Sequence, residues 1–274
     1  RLMPGTDSDF EEIEPSLRRI AIADNLRKSL RTKVLTAAVA RVDFTYFLSF
    51  RDSFKNRLQT QFGAPFRLEI FMLRAMAEAL KEYPALNSWF VWVPDPNREV
   101  EVPKGMEGLL EIPEILDLLT PKIPKFRLYK KTNIGLAFAD AKGLLVPVVK
   151  DVDQKDDVAL AKEIERLYQG AKAGKLPPRD YKGATIILNN PGALGGVDGF
   201  SIPSPEQSAI LSIQKIEESN RLKRGWCKEV EINLVFDHQV CDGREALGFL
   251  SSIKSYFESE KYNRPASAVF SKIF

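Results

Sequence analysis

Apolar residues recur at period two in Val230, Ile232, Leu234 and Phe236, stop at Asp237, and give way to a helical period from Arg244. Alternation at two marks a half-buried strand, and spacing at three and four marks an amphipathic helix. Residues 229–257 therefore read as strand, tight turn, helix. The helix must bury Ala246, Leu247, Leu250, Ile253 and Phe257 against a sheet or another helix, which commits this end of the chain to layered α/β packing. The turn, Asp237-His-Gln-Val-Cys-Asp-Gly243, contains the one histidine of the chain, His238.

The same two periods organise the rest. Leu17, Ile20, Ala21, Ala23 and Leu26 predict a short helix over Leu17–Ser29, followed by a strand over Val34–Val42 and a helix through Phe47, Phe50 and Phe54. Residues Pro65–Tyr83 keep helical spacing until Pro84 stops them. The proline-rich, mixed-charge stretch 89–126 reads as an inserted excursion with one short helix near Leu109–Leu119. Two strands, Asn133–Ala139 and Leu144–Val149, flank a turn at Asp140–Gly143; a helix follows over Asp156–Lys172, then strands at Ala184–Leu188 and Ala209–Ile216. Residues 1–16 form an acidic arm, and 17–274 form one α/β domain with a mixed sheet and packed helices, interrupted by an insertion around 89–128.

Composition narrows the function. A net charge of +3, evenly mixed, argues against nucleic acid as a partner. The basic clusters Arg18-Arg19, Lys125–Lys131 and Arg221–Arg224 read mostly as solvated surface, with room for one of them to meet an anionic cofactor. No run of about 18 uncharged apolar residues predicts a membrane span, and the polar start has no signal-peptide core. Cys227 and Cys241 make neither a disulfide framework nor a zinc spacing. A reducing compartment, bacterial cytoplasm or mitochondrial matrix, is the simpler expectation. Gly192–Gly199 fits neither a dinucleotide fingerprint nor a phosphate loop and reads as turn chemistry.

His238 stands where a strand ends, the place from which rigid scaffolds present reactive groups. Asp237 and Asp242 flank it, and either can orient the imidazole or stabilise its charged form. A plain polar strand end and an Asp-Gly turn have the same residues. Cys241 reads as a small buried thiol filling the loop rather than a nucleophile.

Asp237-His-Gln-Val-Cys-Asp-Gly243 resembles the Asp-His-Arg-x-x-Asp-Gly signature of dihydrolipoamide acyltransferases, the core enzymes of 2-oxoacid dehydrogenase complexes, and shares a shorter pattern with chloramphenicol acetyltransferase. Asn133-Ile-Gly-Leu-Ala137 with Gly143-Leu-Leu-Val-Pro-Val148, Ala171–Leu176, Asn190-Pro-Gly-Ala-Leu-Gly195, Pro205–Leu211, Ile22–Ser29 with Arg19, Asp43 with Arg51, and Pro84–Asn87 resemble further landmarks of the same family, in order over about residues 17–260. The resemblance implies the CoA-dependent acyltransferase (chloramphenicol acetyltransferase-like) fold and homotrimers with a channel at each subunit interface. Coenzyme A enters from one side and a lipoyl arm, carried by a separate domain or protein, from the other. It implies His238 as general base, Asp242 as the loop's anchor through an ionic contact, and Gly243 as the residue permitting a tight turn. Partners implied are further copies of the chain, up to a larger cage, a lipoyl-bearing domain and the other components of such a complex. An apolar end such as 266–274 is expected to dock on a neighbouring trimer.

Three departures mark this sequence. Asn189 stands where the family commonly has a serine or threonine whose hydroxyl stabilises the oxyanion; an amide also donates, so Asn189 is either the donor with altered geometry or a plain turn residue. Gln239 replaces an arginine, so any ion pair there is lost. The excursion between Asn87 and Asn133 is long for the family and is expected to reshape the channel mouth, an oligomer contact or plain surface. The rival reading is a catalytically silent core or adaptor of the same fold; a second is acetyl transfer to a small hydroxylated acceptor.

Overall fold

The computed structural model describes residues 12–65, 67–101, 105, 108, 111–140, 143–220 and 225–259. In chain order the elements are α1 (Leu17–Thr32), β1 (Leu35–Asp43), α2 (Thr45–Phe62), α3 (Leu68–Glu82), β2 (Ser88–Pro94), α4 (Pro113–Leu119), β3 (Lys122–Leu128), β4 (Ile134–Leu136), β5 (Phe138–Asp140), β6 (Gly143–Leu145), β7 (Val148–Val149), α5 (Asp157–Lys172), β8 (Ile186–Asn189), β9 (Ala209–Ile213), β10 (Glu217–Ser219), β11 (Cys227–Asp237) and α6 (Gly243–Phe257). Seven strands form one mixed sheet in the order β1-β11-β9-β8-β4-β7, with β10 on β11. Only β4–β8 and β8–β9 are parallel.

One sheet face is covered by helices. Even-numbered β11 residues from Val230 to Phe236 meet the buried faces of α3 and α6, and Phe44, Phe47, Phe71 and Phe257 tie α2, α3 and α6 together with ring centroids 4.5–5.0 Å apart. Each such side chain contributes about 1.5–3 kcal/mol of burial. Among the described residues the other face has the small apolar cluster Ile187, Ile210 and Val235, with Leu35, Ala137 and Val146 packed against it, and, one step along, the row Asn189, Ser212 and Asn233 aligned by strand register. No helix of the described residues is long and apolar enough to cross a membrane.

Several expectations change. The strand read as half-buried is buried on both faces from Ile232 to Asp237, because β1 and β9 flank it and its odd positions lie under a loop as well. The excursion carries the expected short helix, α4, but β2 and β3 on either side form an antiparallel ribbon that its prolines concealed. Pro94 and Pro124 sit within these strands, tolerated because the ribbon has two free edges. The strands at 133–139 and 144–149 each divide: β4 and β7 join the main sheet, while β5 and β6 form a separate hairpin around the expected turn. The strand expected to reach Ile216 stops at Ile213, and β10 pairs instead with β11. Helix α1 runs three residues beyond Ser29, but leaves Leu17, Ile20, Leu26 and Leu30 exposed. Residues 221–224 and 266–274 lie outside the described residues.

The glycine-rich segment after β8 has one position where only glycine fits. A Cβ on Gly192 would lie 2.3 Å from the Gln214 carbonyl oxygen and 2.6 Å from the Lys215 nitrogen, and backbone atoms cannot rotate aside. Gly192→Ala is expected to cost about 1–3 kcal/mol, the usual range for overpacking. Urea denaturation checks it; an unchanged midpoint contradicts it.

Candidate active site

β11 delivers His238 to the end of the sheet, and Asp237 fixes the chain on either side of it. Asp237 is buried, 1% exposed. Its Oδ1 accepts from Val34 N at 3.1 Å and from Gln239 N at 3.1 Å. His238 N in turn donates to Val34 O at 2.7 Å. The backbone before β1 and the backbone carrying the histidine are thus laced together, while the imidazole stays exposed with the Phe236 ring 5.8 Å away. Among the described residues neither Asp237 nor Asp242 hydrogen-bonds the imidazole, so the expectation that one of them orients it directly is replaced. Asp237 faces the backbone because it continues the odd-numbered series of β11, on the face opposite Phe236.

Gln239 is not an empty substitute for a charge. Its amide donates to both Asp237 oxygens, at 3.0 and 3.2 Å, and to Thr32 O at 2.9 Å. A cation is supplied from elsewhere: Lys33, 9% exposed, donates to Pro205 O at 2.7 Å. Burial pulls its ammonium below the usual lysine range, and the Asp237 charge opposes that shift. Sequence reading missed Lys33; its only signal is a lysine immediately before an apolar strand.

Asp242 holds the loop as a helix cap. Its carboxylate accepts from Arg244 N at 2.8 Å and Glu245 N at 3.2 Å, and Asp242 N donates in turn to the Glu245 carboxylate at 3.1 Å. The capping box takes the place of the ionic contact expected for Asp242, since bare N–H groups at a helix start attract a carboxylate without any cationic side chain. Asp242→Ala is expected to lower stability by about 1 kcal/mol, read as a lower thermal midpoint; an unshifted midpoint contradicts the cap. Gly243 begins α6 without a left-handed φ and with open space around it, so the tight turn does not require it. Cys241 is buried, and its thiol is pushed up to about 12, by burial first and then by Glu245, Asp242 and Asp237. Cys227 is also a free buried thiol.

Asn189 lies elsewhere. It ends β8 on the face without helices, opposite Ser212, which is opposite Asn233. From the Asn233 level to His238 is roughly 16 Å along the strands, with two strand spacings of about 5 Å across. One chain does not bring the two together. Among the described residues no group of three or more His, Cys, Asp or Glu is placed to hold a metal.

The fold, a mixed sheet packed with helices, is shared with solved catalytic cores of acyltransferases. A probable dihydrolipoamide acetyltransferase from Listeria monocytogenes superposes with a TM-score of 0.76 at 28% identity, covering 92% of this chain and 96% of that one. A truncated catalytic core of the 2-oxoacid dehydrogenase multienzyme complex from Thermoplasma acidophilum gives 0.71 at 26%, covering 91% and 99%. The sequence model of the 2-oxoacid dehydrogenases acyltransferase (catalytic domain) family matches residues 7–107 and 105–263. The chain belongs to that family. The lipoamide acyltransferase component of the branched-chain alpha-keto acid dehydrogenase complex of Bacillus subtilis is 30% identical over 93% of this chain and 54% of its own length. The succinyltransferase component of the 2-oxoglutarate dehydrogenase complex of Rickettsia bellii is 29% identical over 93% and 56%. The chain spans about half the length of these curated relatives.

Proposed function

We propose that this domain moves an acyl group between coenzyme A and a dihydrolipoyl thiol borne by a separate domain or protein, with His238 as general base. The observation that carries the reading is the clamp: an exposed imidazole on backbone held by buried Asp237 and Val34. An ordinary thiol titrates near 8.5 and an ordinary imidazole near 6.5, so the neutral ring can take the thiol proton as attack begins. The dihydrolipoyl sulfur adds to the acyl-CoA carbonyl, and the carbonyl oxygen becomes an oxyanion. Collapse breaks the bond to the coenzyme A sulfur, which leaves as the free thiol after recovering the proton from the imidazolium. Both half-steps run in reverse by the same route.

The oxyanion needs a preplaced donor. Asn189 is that donor, and its separation from His238 means the pair meets across an interface: His238 of one copy with Asn189 of the next, in a homotrimer. Two features support this. Among the described residues the sheet face around Asn189 has only the small apolar cluster Ile187, Ile210 and Val235, and α1 leaves Leu17 86% and Leu30 55% exposed, more apolar surface than a lone helix usually shows to water. Larger cages and contacts with other components of a 2-oxoacid dehydrogenase complex follow from the same reading. The test is transfer from acetyl-, succinyl- and isobutyryl-CoA, each supplied separately, to free dihydrolipoamide and to an isolated lipoyl-bearing domain, with S-acyl product measured by mass spectrometry. Product from one donor supports the reading and names the acyl class. None from any donor, with folded protein of trimer mass, leaves the silent-core alternative.

A further inference from the structure

The glycine-rich segment that follows β8 does more than turn. Its Gly199 carbonyl is pinned to the helix-free face by the buried amides of Asn233, at 2.7 Å, and Gln214, at 3.2 Å. That anchorage sets Ser201 over the end of β8. Asn189 Nδ2 donates to Ser201 Oγ at 2.8 Å, and Ser201 Oγ lies 3.3 Å from Ser212 Oγ. Ser212 is fully buried and sits opposite Asn189 in the strand register. The chain thus builds a row, Asn189–Ser201–Ser212, on side chains from a strand end, a pinned loop and a central strand.

A carboxamide on a strand end turns about its last torsion in a broad, two-fold well. Its two N–H bonds lie in one plane about 120° apart, so fixing one fixes the direction of the other. With one hydrogen spent on Ser201, the second points in a single direction. Among the described residues no partner takes it. Ser201 Oγ, which accepts from Asn189, also lies within hydrogen-bond distance of the Ser212 hydroxyl, where either oxygen can be the donor, so the strand holds the serine in place.

We propose that Ser201 is a positioning residue for acyl transfer: it locks the Asn189 carboxamide so that its free N–H meets the oxyanion. This rests on the reading of Asn189 as the donor. A preplaced donor works because no reorganisation is needed when charge develops, and a donor free to swing loses much of that advantage.

The experiment is a double-mutant cycle in the acyl-transfer assay, with folding and oligomer mass checked for each variant. Ser201→Ala is expected to lower kcat about tenfold with KM for dihydrolipoamide unchanged, since an interaction made only with developing charge is lost. In an Asn189→Ala background the same change is expected to cost nothing further, because residues that act as one unit are not additive. Ser201→Thr, which keeps the hydroxyl, recovers most of the loss. A merely structural serine lowers both backgrounds equally, and that result, or a wild-type rate in Ser201→Ala, overturns the proposal. An active wild type with an indifferent Ser201→Ala defeats this inference alone; an inactive wild type defeats it together with the function it rests on.

Discussion

His238→Ala lowers acyl-transfer turnover by at least about a hundredfold, the lower end of what a positioned general base contributes, while the protein keeps its thermal midpoint and oligomer mass. Fold and function separate cleanly here because the loop is held by backbone and carboxylate. Val34 bonds the histidine's N–H, not its ring, and Asp237 bonds Val34 and Gln239. The imidazole is exposed and meets the Phe236 ring at 5.8 Å, so its removal opens no cavity. A kcat within a few fold of wild type, from either direction of the reaction, shows that the base is another group. Buried Cys241 cannot take over as a thiolate, its titration lying near 12.

Much of this was legible in the sequence where a local period decides structure. The β11–turn–α6 unit, α3 and α5 follow from spacing alone, and α5 even shows its cap, Asp156, accepting from Ala159 N at 2.7 Å. The β2–β3 ribbon was not legible, because Pro94, Pro121 and Pro124 punctuate it as a loop and its pairing joins residues 28 to 40 positions apart. The site divides in the same way. His238 and Asp242 could be named from their motif, but the work of Asp237 could not, since its partner Val34 is 203 residues away. The parity of β11 contained the hint: Asp237 and Phe236 must face opposite sides, so Asp237 points toward the neighbouring strand's entry and not along the ring. Gly243 misled because Asp-Gly usually marks a left-handed turn, whereas here the residue simply starts a helix. Ser201 has no local signature and Lys33 only that of a lysine just before an apolar strand; their roles exist only once loop 196–208 lies across the sheet.

The separation of Asn189 from His238 gives the account its sharpest consequence. Asn189→Ala alone is expected to lose roughly a hundredfold in kcat, the cost of one missing oxyanion donor, and His238→Ala at least as much. If each site takes its histidine from one subunit and its asparagine from the next, the two defects are complementary. Randomly reassembled from equal amounts, a closed ring places an intact histidine against an intact asparagine at one interface in four. The mixture should then recover about a quarter of wild-type turnover from two nearly dead proteins. The decisive measurement is therefore acyl transfer by His238→Ala and Asn189→Ala proteins dissociated together, refolded together and assayed at wild-type oligomer mass. Recovery to about a quarter is the predicted result. A mixture no more active than the mean of its parts, with mixed oligomers verified by mass spectrometry, contradicts a shared site.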